Sequence, residues 1–161
     1  MADVQAVTFF ADDVRKEETG KVTVIGMYGS DIRIESPTPS PFPIYAITRV
    51  IGPVTMIKFP HLVIDYLLDG VSFHALNIPY ERIRQYEPAH QAEMQLLTEL
   101  SPAGTLIMDA TLVDGGIPIM VPLSSPLSLL AVTVDVGTGP IHAGSVPIKW
   151  TQSVSQLAPA P

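Results

Sequence analysis

Apolar and β-branched residues recur along this chain in short runs that glycine, proline and charged turns interrupt. The first run, residues 4–14, carries Val7, Phe9 and Phe10; a charged segment through Thr19-Gly20-Lys21 follows, and Val22, Val24, Ile25, Met27 and Tyr28 resume the pattern. Two β-rich runs around a polar, Gly-bearing turn predict a hairpin. Residues 36–43 hold Pro37, Pro39, Pro41 and Pro43. No proline can donate to a ladder, so an extended, polyproline-like connection across one end of the domain is expected there. Further short strands are expected at 44–51 and 54–59, separated by Gly52-Pro53.

The sharpest local signal is Asp69-Gly70, a pair suited to the two-residue type I′ hairpin turn. With those two residues as the loop, 68 faces 71, 66 faces 73 and 65 faces 74. Alternation then gives Ile64, Tyr66 and Leu68 a common apolar face with Val71, Phe73 and Ala75. On the other face Asp65 lands opposite His74, with His61 and Asp69 along the same strand. Residues 87–100 fit two patterns. Pro88 in a first turn, with Ala89, Ala92, Leu96 and Leu100 as a stripe, describes a short helix over 88–100. Ala92, Met94 and Leu96 alternating with Glu93 and Gln95 describe a strand, which the strands expected on both sides favour. Residues 105–113 and 117–121 flank Asp114-Gly115-Gly116 as another hairpin, and 127–136 is a last strand. From Gly137 onward the chain is rich in turn residues and reads as an extended arm. Eight to ten short strands thus predict an all-β, antiparallel β-sandwich, Ig-like or jelly-roll-like, over 1–136, with a C-terminal arm over 137–161.

Composition narrows the function classes. In 161 residues there are 16 prolines, and charged residues make up only 16%, against about 25% in typical soluble domains. That argues against a helical bundle or coiled coil. The net charge of −7 argues against a polybasic nucleic-acid binder. The absence of cysteine removes disulfides, thiolate metal sites and a Cys nucleophile. The opening residues lack the basic start and apolar core of a signal peptide. The longest uncharged run, 115–134, is broken by Pro118, Pro122 and Pro126 and does not suit a membrane helix. A soluble protein made in the cytoplasm is expected.

Candidate chemistry is sparse. No G-x-S-x-G elbow occurs, and Thr19-Gly20-Lys21-Val22 lacks the glycine and hydroxyl of a phosphate loop. Asp12-Asp13 and Glu17-Glu18 could meet a hard cation such as calcium, but sit where a solvated turn rim is expected. Asp65 opposite His74 could orient a general base or supply two metal ligands. No nucleophile or third ligand falls beside them, and cross-strand pairs of this kind also serve as surface stabilisers. His90 and His142 stand alone. Trp150 is a candidate anchor for the arm.

The opening Val4-Gln5-Ala6-Val7-Thr8-Phe9-Phe10-Ala11-Asp12-Asp13-Val14, followed by Thr19-Gly20-Lys21-Val22-Thr23-Val24-Ile25-Gly26-Met27-Tyr28, resembles an uncharacterised bacterial and phage family. Asp69-Gly70 and the segment from Gly104 through Gly115 match its later hairpins, so the resemblance spans roughly residues 4–135. It implies a β-sandwich without a known catalytic site. The function expected is that of a non-enzymatic structural protein of a phage virion, such as a capsid decoration, cement or minor head or tail subunit. Its partners would be other virion subunits or itself as a homo-oligomer, held through Phe42 on the Pro-rich crossing and Ile148, Trp150 and Leu157 on the arm. No catalytic residue, metal, cofactor, nucleic acid, membrane or small-molecule substrate is expected. The alternatives are a cytosolic β-sandwich binding module for a protein or small ligand and, third, a hydrolase built on Asp65 and His74.

Overall fold

The structure is a computed structural model and describes residues 4–16, 22–36, 40–53, 61–79, 107–113 and 118–152. Those residues form β1 (Gln5–Lys16), β2 (Val22–Met27), β3 (Ile32–Ser36), β4 (Pro41–Pro53), β5 (His61–Leu68), β6 (Val71–Pro79), β7 (Ile107–Val113), β8 (Ile119–Pro122), β9 (Leu127–Asp135) and β10 (Pro140–Gln152). They contain no helix, and so none long and apolar enough to cross a membrane. The expected all-β class holds. Residues 54–60 and 80–106, including the ambiguous 88–100, lie outside the described residues.

One sheet has the order β2-β1-β4-β7, with β8 also on β4; the other runs β3-β10-β9-β5-β6. Alternation directs one face of each sheet into a shared core. The first sheet contributes Phe10, Ile44, Ala46, Val50, Ile119 and Val121, and the second Ile32, Ile64, Tyr66, Leu130, Val132, Val134 and Ile148. The arrangement is sandwich-like. Where β1 meets β4, Thr8 faces Thr48. Their hydroxyls bond each other at 2.9 Å, so two buried polar groups are satisfied without water. Opposite them β10 approaches closely. A Cβ on Gly144 would lie 3.1 Å from the Thr8 carbonyl oxygen, which explains a side-chain-free residue there.

Several expectations change. The β1–β2 hairpin forms as expected, with Lys16 opposite Val22. The segment 140–152, however, is no arm: β10 lies inside the second sheet, antiparallel to β9 and parallel to β3. That parallel pair departs from an all-antiparallel sandwich. Residues 153–161 are outside the described set. Nor do β7 and β8 make a hairpin around 114–116. Both run antiparallel to β4, with Val113 opposite Ile47 and Ile119 opposite Ile44. Their partners on β4 do not overlap, Ile47–Pro53 for β7 and Pro41–Ile44 for β8. Finally, Pro41 and Pro43 enter a ladder after all, opposite Pro122 and Met120 of β8. They tolerate it because β1 stops pairing with β4 at Tyr45. The two prolines share a parity, so their missing donors fall on one edge of the strand.

Candidate functional site

The Asp69-Gly70 turn forms as expected, with φ of 52° and 83° at its two residues and Leu68 opposite Val71. One pair further on, the register slips. Leu67 faces Ser72, but Tyr66 faces His74 and Asp65 faces Ala75, leaving Phe73 as the extra residue of a β-bulge. The bulge separates Asp65 from His74. Asp65 instead accepts a hydrogen bond from the Ser72 hydroxyl at 2.5 Å, and the His74 ring lies against Tyr66 with centroids 5.5 Å apart. His61 faces Pro79 at the far end of the hairpin. Asp69 turns back to β9, where its carboxylate accepts from the Leu129 backbone N–H at 2.7 Å and its own N–H donates to the Leu129 carbonyl at 2.9 Å. Asp65 and Asp69 are thus engaged within the sheet, and the expected Asp65–His74 opposition is corrected, His74 facing Tyr66 instead.

The acidic pairs near the first turn are likewise engaged. The Tyr28 hydroxyl donates to Asp12 Oδ1, while Asp13 holds Arg15 Nε at 2.8 Å; Glu17 and Glu18 lie outside the described residues. Partial burial, then the Asp12 hydrogen bond and charge, push the Tyr28 phenol up to about 12. On the second sheet Asp31 accepts from Lys149 Nζ at 2.9 Å and Arg33 Nε at 3.1 Å. Those two cations, Lys149 first, hold its carboxyl below the usual range. Among the described residues no three His, Asp or Glu side chains are grouped to hold a metal.

The expected anchors are mostly occupied by the fold itself. Ile148 is fully buried between Ile32 and Ser128. Its solvent-free position corrects its assignment as a contact for another subunit. Trp150 and Phe42 are half-buried and pack against the core, and the Trp150 backbone N–H donates to the Pro126 carbonyl at 2.8 Å. Leu157 lies outside the described residues.

The structure instead leaves a different set of apolar side chains in water. Val7, Phe9, Ile25 and Met27 are all exposed, Met27 at 63%. The register joins them: Ala11 pairs with Met27 on one side and Tyr45 on the other, and Phe9 pairs with Ile47. All four therefore share the outer face of the first sheet, opposite the face that carries Phe10, Ala46 and Val50. Val24 is exposed on the other side of β2. A second, smaller patch lies on the outer face of the other sheet. There Leu127 and Leu129, with Pro147 and Asp69, line an open groove of about 320 Å³, and Val71 at the hairpin tip is 70% exposed. The signal was present in the sequence: Val7-Thr8-Phe9-Phe10 and Val24-Ile25-Gly26-Met27 carry large apolar residues at both parities. A strand with one buried face needs them at only one. No family model, curated protein or solved structure matches this chain.

Proposed function

We propose that this protein is a non-enzymatic assembly subunit, a rigid β-sandwich that works by being covered by other subunits, in the setting of a phage virion. The observation that carries the reading is the apolar stripe of Val7, Phe9, Ile25 and Met27 on the outer face of the first sheet. Water-exposed groups of large apolar side chains on one face mark interaction surfaces. Tyr28, Arg15 and Ser72 engage the carboxylates of Asp12, Asp13 and Asp65, which supports a structural role for those side chains. The docking surface moves accordingly, from a C-terminal arm to the sheet face itself. The virion setting rests on the resemblance of the opening hairpin and is the finer part of the proposal.

Quantitative mass spectrometry of gradient-purified particles, induced from the strain that carries the coding sequence, tests this reading. The chain is expected in the particles at a fixed ratio to the major subunit. Its absence from particles, with abundance in the soluble lysate, overturns the virion assignment in favour of a free binding module.

A further inference from the structure

We draw no further inference here: the strongest candidate, the open apolar groove that Leu127, Leu129 and Pro147 line on the outer face of the second sheet, carries nothing, because the buried Ser128 beside it lies on the core side of β9 and nothing in the structure shows what covers the groove.

Discussion

Truncating Ile148 to alanine separates a core role from a docking role. The side chain is fully buried, flanked by Ile32 on β3 and Ser128 on β9, in a cluster that also holds Leu130, Val146 and Ile34. Three carbons leave the core, and at ~0.8 kcal/mol each the transfer loss is ~2.4 kcal/mol. The strands around the site are held in register on both sides, so the cavity closes only in part and the total rises toward 3–4 kcal/mol, roughly. For a chain of this length each kcal/mol moves the thermal midpoint by about 2–4 °C. The expected fall is therefore on the order of 10 °C. Denaturant unfolding of the isolated protein, followed by near-UV absorbance or fluorescence, measures it, with Lys149→Ala as the exposed neighbour that should cost under about 0.5 kcal/mol. A loss below about 1 kcal/mol for Ile148→Ala, with the slope of unfolding unchanged, would refute the placement of β10 in the core.

Four further outcomes follow from the same structure. Deleting residues 141–161 removes nearly all of β10, which bridges β3 and β9; circular dichroism is expected to show an unfolded or aggregated product, and a cooperative thermal transition would contradict this. Ser128 is buried with its hydroxyl oxygen lacking a hydrogen-bond partner, so Ser128→Ala is expected to raise stability by about 1 kcal/mol; a comparable loss in denaturant titration would point to a partner. Gly26 has φ of 66°, and an added Cβ would meet the Asp12 carboxylate that receives the Tyr28 hydroxyl. Gly26→Ala is therefore expected to cost about 2 kcal/mol and to lower the Tyr28 titration midpoint; an unchanged denaturation midpoint would refute the clash. In absorbance titration Tyr28 should ionise near 12 instead of 10.0. Asp12→Asn should lower that value only part of the way, since burial is the largest cause. The folded state holds this proton more tightly than the unfolded one, so its contribution is complete below pH 10 and fades as pH rises through about 12. A midpoint at 10 in the native protein would contradict the contact.

Much of this protein is written in local pattern. Proline content and period-two alternation determine the β class, the polar break after the first apolar run separates β1 from β2, and Asp69-Gly70 sets a type I′ turn with the first pairs beyond it. The buried face of Ile64, Tyr66 and Leu68 follows from the same alternation. Where a bulge intervenes, alternation fails. One extra residue inverts parity, so Phe73 moves His74 away from Asp65 and removes the only catalytic pair the sequence offered. In β10 the register shift between His142 and Gly144 divides the buried positions into Ala143 on one parity and Val146 and Ile148 on the other. With Pro140 and Pro147 nearby, a central strand reads as a loose arm. Partner choice between distant strands lies outside local pattern altogether. The parallel β3–β10 pair and the separate pairings of β7 and β8 with β4 depend on where each strand's apolar face finds its complement. The same holds for Val7, Phe9, Ile25 and Met27. Their hydrophobicity belongs to the sequence, but only the tertiary structure leaves these four side chains in water while burying Ala11 and Ile47 beside them on the same face.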